Sequence, residues 1–583
     1  MNKGNNFFKK SKSYTVSVIE FSPENKKENK LSIIDKNDDR GGIDNNGYVH
    51  NDDDDDNVKY DYDKIYDFEE AISATQFGSY NWFLLIIILL GHVSTVYSTT
   101  TMSYVLPSAE CDLHLTNVDK GMLNSMELIG MTLSGFIWGI LSDSAGRKNI
   151  LIIIFGSDTI ITIMTAMAQN LNLLIACKFL SGIINGSGVA IMATLAAECH
   201  SLYYRASVTI GLGFFYSFAI ITLPILAWLI IPTSIHLSLF NGYINLPNWR
   251  IFILASSIPG ILSFIGFFFT YESPKFLMFQ NKNDEALEVF KKIYNKNTGK
   301  SFETFPASII IYNFKLRHYL VVKILKNERP EGFDKPKNDK FSFNEMVINI
   351  WNQIIQIFRP PYFLAILLPC VIQFCTAVGV NTIRLWSPQL FASVLEYEKL
   401  LGNISNPSTI CDILTTTSII NTQNVVADCD EIIMDENIYV NSMIIGAVTC
   451  LGYVISGYAV RIIERKWLLV FVYFAGVVTS LILYWSTTSK LMVGVVAIFI
   501  AILSTGATAV ISVIIDIFPT FLRSTAVSLC MTLGRTGGIF GNSIFAVLLD
   551  FNCSISFIVL PTAILISAGL TFLLPRTKGK HLE

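Results

Sequence analysis

Charge is what this chain of 583 residues has least of. Asp, Glu, Lys and Arg together make up 15% of it, against 51% hydrophobic residues and a mean hydropathy of +0.47. A soluble protein of this length would not tolerate that balance. The net charge of −3 says little, because the sign of charge varies along the chain. Ten cysteines include no CxxC pair and no Cys/His cluster, which leaves metal binding without support. There is no phosphate-cradling Gly-rich loop and no nucleophile–base pair, so neither an enzyme nor a cofactor is expected. Gly182, Gly186 and Gly188 fall inside an apolar run, where small residues serve helix packing. The N-terminal stretch lacks an apolar core, so no cleaved signal peptide is expected. Nucleic acid is not an expected partner.

What is present is a series of long apolar runs. About 20 such residues cross a bilayer core, and twelve runs qualify: 81–106, 118–142, 150–169, 171–197, 207–232, 250–271, 361–387, 438–462, 467–487, 490–515, 519–549 and 554–575. The break between the third and fourth is marked only by Gln169-Asn-Leu-Asn172. Backbone groups in lipid must be satisfied within their own segment, so the runs are helices and the chain is an all-α membrane protein in contact with the lipid bilayer. Basic residues crowd the even connections: Arg147 and Lys148, Arg205, 275–340, Arg461 to Lys466, Arg523, and Arg576 onward. Loop 388–437 carries Asp412, Asp428, Asp430, Glu431, Asp435 and Glu436 against a single Lys399. Both termini and the even connections are therefore expected in the cytosol.

Two halves flank a bridge. Residues 1–76 are rich in Asn, Asp and Lys and are expected to be a disordered cytosolic tail. A six-helix half over 77–271, a cytosolic linker over 272–360, a second half over 361–575 and a short tail over 576–583 follow. Within the linker, apolar residues at three- and four-residue spacing over 284–294 predict an amphipathic helix with acids first and lysines later. Cys111, Cys411, Cys429 and Cys553 fall on the non-cytosolic side, where disulfides persist; Cys411–Cys429 is the preferred pair. Asn403 heads a glycosylation sequon in the same loop, and Asn552 heads another closer to the membrane.

The halves repeat one charged hinge. Gly139-Ile-Leu-Ser-Asp143-Ser-Ala-Gly146-Arg147-Lys148 is echoed by Gly457-Tyr-Ala-Val-Arg461-Ile-Ile-Glu464-Arg465-Lys466, and Glu198…Arg205 by Asp516…Arg523. The offsets 457 − 139, 516 − 198 and 523 − 205 all equal 318. Such duplication is the construction of secondary transporters. The second copy has lost the hinge carboxylate, Arg461 standing for Asp143.

The first hinge resembles the loop motif of the major facilitator superfamily. Glu272-Ser-Pro-Lys-Phe-Leu277 and Pro575-Arg-Thr-Lys-Gly-Lys580 resemble its sugar and organic-ion branch. Pro107-Ser-Ala-Glu-Cys-Asp112 followed by Lys120-Gly-Met-Leu123, with the large loop between spans 7 and 8, is similar to the synaptic vesicle glycoprotein 2 group. The resemblance covers about 78–583. It implies the major facilitator fold, two six-helix pseudo-repeat halves rocking about a central site. It also implies that Gly139, Asp143, Gly146, Arg147, Lys148, Glu198 and Arg205 gate it, with Arg461, Arg465, Asp516 and Arg523 as the weaker second copy. The first set would latch the outward-open state; the plain alternative is a set of orientation anchors.

Ionisable and polar groups inside spans point to the substrate. Gln373, Asn381 and Arg384 share one face of span 7 at spacings of eight and three. With Glu127 and Tyr97 they form the candidate substrate cavity. Arg384 either holds a substrate anion or pairs with Glu127, and the internal pair is the preferred reading. Members of the vesicle glycoprotein group carry two acids in span 1 where this chain has Thr95 and Ser98, which leaves His92, Tyr97 and Tyr104 there and puts proton coupling in doubt. Lys178 stands where the superfamily usually has Arg. The function expected is secondary active or facilitative transport of a small organic solute by alternating access. The alternative is a non-transporting vesicle membrane glycoprotein that binds cytosolic or luminal proteins through its tail and loop 388–437. A plasma membrane and a secretory or synaptic vesicle membrane are equally compatible with the topology.

Overall fold

Helices dominate because the apolar runs leave the backbone no other partner. The computed structural model describes residues 65–233, 237–239, 244–280, 282–307, 309–311, 355, 357–360, 362–401, 409–423, 435–518 and 520–574. The first half contains α1 (Phe68–Ala74), α2 (Ser79–Leu113), α3 (Asn117–Ala145), α4 (Arg147–Met167), α5 (Leu171–Asn185), α6 (Gly188–Glu198), α7 (Leu202–Ile230), α8 (Asn248–Ser256) and α9 (Ile258–Phe268). Two linker helices follow, α10 (Pro274–Phe279) and α11 (Asn283–Thr298). The second half contains α12 (Tyr362–Leu401), α13 (Ile410–Gln423), α14 (Glu436–Ile462), α15 (Arg465–Tyr484), α16 (Ser489–Ile517), α17 (Thr520–Phe551) and α18 (Cys553–Thr571).

With α5–α6 and α8–α9 each counted as one interrupted span, twelve spans result, six to a half. Eleven stretches among the described residues are long and apolar enough to cross a membrane by length and composition. The twelfth, α17, packs between α12 and α3. The faint third break is real: α4 ends at Met167, and the Asn170 side chain caps α5 by accepting from the Leu173 N–H. The duplication is visible in the starts of helices, since 465 − 147 and 520 − 202 both give 318. The halves meet through α3–α17, α7–α14 and α2–α12. Spans 2 and 11 exchange with spans 8 and 5 when the halves are swapped, as a two-fold axis requires.

Three expectations need correction. Residues 65–76 are folded rather than disordered: β1 (Ile65–Asp67) pairs in parallel with β2 (Ile309–Ile311), and α1 carries an Asp67–Glu70 capping box and buries Phe68, Ala71 and Ile72. That short apolar face is hidden in sequence by the polar tail that precedes it. Span 7 continues as helix to Leu401, well past 387, with Pro388 inside it. The disulfide joins Cys411 to Cys553, not Cys411 to Cys429. Cys411 lies on α13, which packs back onto α12, and this carries it to the first residue of α18. Cys429, the sequon Asn403 and residues 1–64 lie outside the described residues.

The linker helix α11 buries Ala286, Phe290, Ile293 and Tyr294, with Asp284 and Glu285 in its first turn. It is pinned to the start of α2. Asn297 receives the Tyr80 N–H, its amide donates to the Thr75 and Gln76 carbonyls and to Asn81, and the Ser79 hydroxyl donates to the Lys296 carbonyl.

Candidate functional site: a hinge, a buried ion pair and an arginine pocket

At the basic end of the bundle, Gly146 ends α3 and opens α4 with φ at +97°, a conformation that disfavours a side chain. A Cβ there would also run into the Glu272 carboxylate. Arg147, the first residue of α4, ion-pairs with Asp143 at 3.0 Å and with Glu198 at 3.3 Å. Ser273 donates to Glu198 at 2.5 Å, and the Arg147 guanidinium lies 5.0 Å from the Phe276 ring centre. Sequence reasoning missed Glu272 as a hinge residue. Its carboxylate accepts the Arg147 and Lys148 N–H groups at 2.9 and 3.1 Å, where the N-terminal dipole of α4 favours an anion. The Glu272-Ser-Pro motif was the available signal.

Every partner in this knot belongs to the first half or the start of the linker. Arg205 turns elsewhere, to Glu69 on α1 at 3.0 Å and to the Ala197 carbonyl. Lys148 donates to the Phe268 carbonyl, and its repeat Lys466 to the Phe572 carbonyl, so the duplicated hinge keeps a common contact. Arg465 donates to the Ser512 carbonyl at 3.2 Å. The side chains of Arg461, Asp516 and Arg523 lie outside the described residues. Gly139 faces open space.

Deeper in the first half, α3 and α5 approach closely because Gly182 sits against the Glu127 backbone. This contact brings the Glu127 carboxylate within 2.8 Å of the Lys178 ammonium, both side chains almost wholly buried. The preferred pairing of Glu127 with Arg384 is therefore wrong: Lys178 reaches Glu127 first and also donates to the Ser98 carbonyl. Asp158 accepts from Ser181 and Asn185 at 2.7 and 2.6 Å, and both bonds fall on one oxygen. Ser98, in the place of one missing acid, hydrogen-bonds Ser181. Ser98, Asp158, Lys178 and Ser181 border a small polar cavity with Thr101, Thr162 and Ser256. His92 has its Nδ1 3.3 Å from the Ile88 carbonyl, a structural contact.

A second pocket lies between the halves. The Arg384 guanidinium is bound by the Tyr216 hydroxyl of α7 and, at 3.0 Å, by the Asn381 Oδ1. Thr100, Tyr104, Ser387 and Ser442 line the pocket beside it. Gln373 and Asn381 face the glycine stripe of α17, at Gly534 and Gly538 respectively. Tyr97 is buried on α2 and is not among the lining residues; Thr100 and Tyr104 of that helix are. Tyr216 was missed, being a single hydroxyl in an otherwise apolar run.

Toward the disulfide end the seam is closed. Asn117 donates to Asp550 at 2.6 Å and Gln389 to Glu110 at 3.4 Å, while Ser125 and Ser543 are 3.3 Å apart; Arg535, level with Gln373 on the basic side of Arg384, donates to the Met131 carbonyl at 3.3 Å. The α3 stripe continues through Gly135, which touches Arg535, to Gly139, which touches nothing. On α7, Ile221 meets Gly446 whereas Gly213, two turns toward the basic end, meets nothing. Among the described residues, the halves are thus joined toward the disulfide end, and a Cβ on Gly139 or Gly213, nearer the basic end, would meet nothing.

The sugar (and other) transporter family model matches residues 72–406, more than half of the chain. The chain belongs to this family. Among similar proteins, synaptic vesicle glycoprotein 2B of Rattus norvegicus is 25% identical over 327 residues, 55% of this chain and 47% of that protein. Synaptic vesicle glycoprotein 2C of Homo sapiens is 29% identical over 231 residues, 40% of this chain and 32% of that one. The chain therefore spans about half the length, or less, of the curated relatives it matches. A structure of the xylose transporter XylE from E. coli in a partially occluded inward open conformation has a TM-score of 0.60 at 16% identity, covering 87% of this chain and 100% of that one. An inward open structure of XylE has a TM-score of 0.58 over 86% of this chain and 98% of that one, at 16% identity. At such identity the likeness concerns the fold, which is the major facilitator fold of this sugar-transporter branch.

Proposed function

We propose that this protein is a transporter of a small organic solute that works by alternating access. The observation that carries the reading is the pocket around Arg384, which lies between two homologous halves and is lined by residues of both. A solute site at the interface of two repeats, reached from one side at a time, is what rocking of the halves requires. With the basic end placed in the cytosol by the positive-inside rule, both termini are cytosolic and the seam closed by Asn117–Asp550 and Gln389–Glu110 is non-cytosolic. The hinge knot of Asp143, Arg147, Glu198 and Glu272 holds the basic ends of α3, α4 and α6 as one body. Rocking then moves the half as a unit, and Gly139 and Gly213 mark where the facing half would close against it. The relatives' names favour a synaptic vesicle membrane as its residence.

Uptake into proteoliposomes carrying the purified chain tests this with a labelled panel of sugars, organic cations and organic anions. Saturable, self-inhibitable uptake of at least one solute is expected. Absence of uptake for the whole panel, with capture of a soluble partner by residues 1–64 or loop 402–434, would support instead the non-transporting vesicle glycoprotein.

A further inference from the structure

The Arg384 pocket contains a charge that the protein does not neutralise. An ionised side chain within a membrane span is costly and is usually paired. The partner expected from sequence, Glu127, pairs with Lys178 instead. Among the described residues no carboxylate ion-pairs with Arg384; its two terminal nitrogens meet neutral oxygens of Tyr216 and Asn381, and its Nε is buried without a partner. Two neutral acceptors fix the plane of the guanidinium and leave its charge unspent. Around it the pocket has two characters: hydroxyls on Thr100, Tyr104 and Ser442, and apolar flanks from Ile220, Leu223 and Ile500.

We infer that the solute is an organic monoanion whose carboxylate is held by Arg384 and the neighbouring hydroxyls, with its carbon body against the apolar flanks. This rests on the transport reading and narrows its solute. A neutral hexose would leave the guanidinium uncompensated, and a cation would repel it. A dianionic phosphate ester would replace one unpaired charge by another of opposite sign. A single carboxylate balances the site and can accept from both arginine and hydroxyl donors. Tyr216 on α7 and Arg384 on α12 belong to different halves, so occupancy also bears on the interface that rocking must rearrange.

Matched pairs of probes separate charge from shape: benzoate against benzamide, and lactate against lactamide, with xylose as the neutral sugar. In thermal-shift titrations of the full chain in detergent, the carboxylates should raise the melting temperature saturably and the amides should not. Arg384→Gln should weaken carboxylate binding at least tenfold, whereas Arg384→Lys should retain part of it. If Arg384→Gln does not fold, Tyr216→Phe gives a second reading, with weakened carboxylate binding expected because the guanidinium loses its brace. Amides or xylose binding as well as the carboxylates, or no shift with either acid, overturns the inference. Uptake separates the two claims. Xylose entry without carboxylate entry leaves transport standing and removes the anion; carboxylate binding without entry of any solute does the reverse.

Discussion

At the scale of single residues, buried charges decide the behaviour of the first half. Glu127 and Lys178 form one pair in a site from which water is almost excluded. Removing either partner strands the other, which typically costs about 3–5 kcal/mol. Glu127→Gln or Lys178→Met alone should therefore lower the unfolding temperature strongly, and the double variant should recover much of that loss. A thermal double-mutant cycle measures it, and additive losses would show that the pair is uncoupled. The residues of this site were legible as types and not as partners. An ionisable residue in an apolar run announces itself, so Glu127, Asp158, Lys178 and Arg384 all stood out. Which of them meet depends on rotation and depth of the helices, set here by Gly182 against α3, and spacing along the chain does not contain that.

At the scale of elements, the helices followed from hydropathy and their ends from capping, whereas the tertiary links between loops did not. α13 could not be placed from sequence because its neighbours in space, α12 and α18, are set by the fold of the half; hence the wrong partner for Cys411. Cys411→Ser and Cys553→Ser should each destabilise the chain by about 2–4 kcal/mol, and the double variant no more than either alone. Peptide mapping without reductant should recover the two cysteines linked; a Cys411–Cys429 peptide would refute the assignment. At the same end, Asp435 precedes α14 and binds Lys399 near the end of α12 at 2.8 Å. Burial pushes the Asp435 carboxyl up, but the Lys399 ammonium and the Asn437 amides outweigh it and hold it below the usual aspartate value of 3.8. A depressed carboxyl contributes its stability above the unfolded value and loses it as pH falls through the folded one. Hydrogen-exchange protection near 395–401 should therefore persist from neutral pH to about pH 4 and decline only below it. In Lys399→Ala protection should already be lower at neutral pH, and the further decline below about pH 4 should be smaller.

At the scale of the molecule, the duplicated hinge established two related halves before any contact was known. It could not tell which ends of those halves touch, because both states of a rocking pair share one sequence. The closed seam supplies a direct test. Cysteines placed at Asn117 and Asp550 and joined by a short bifunctional maleimide should reduce uptake to background, and either single variant should not. Uptake that survives efficient cross-linking would show that the seam need not open.

The covalent tie between Cys411 and Cys553 has one more consequence. Both ends belong to the second half, so α13 is a cap riveted to one of the two halves. An antibody fragment directed at that cap would be carried along as a rigid fiducial without arresting the cycle. Imaged beside the bundle, it would act as a pointer, its tilt recording the angle between the halves in each particle.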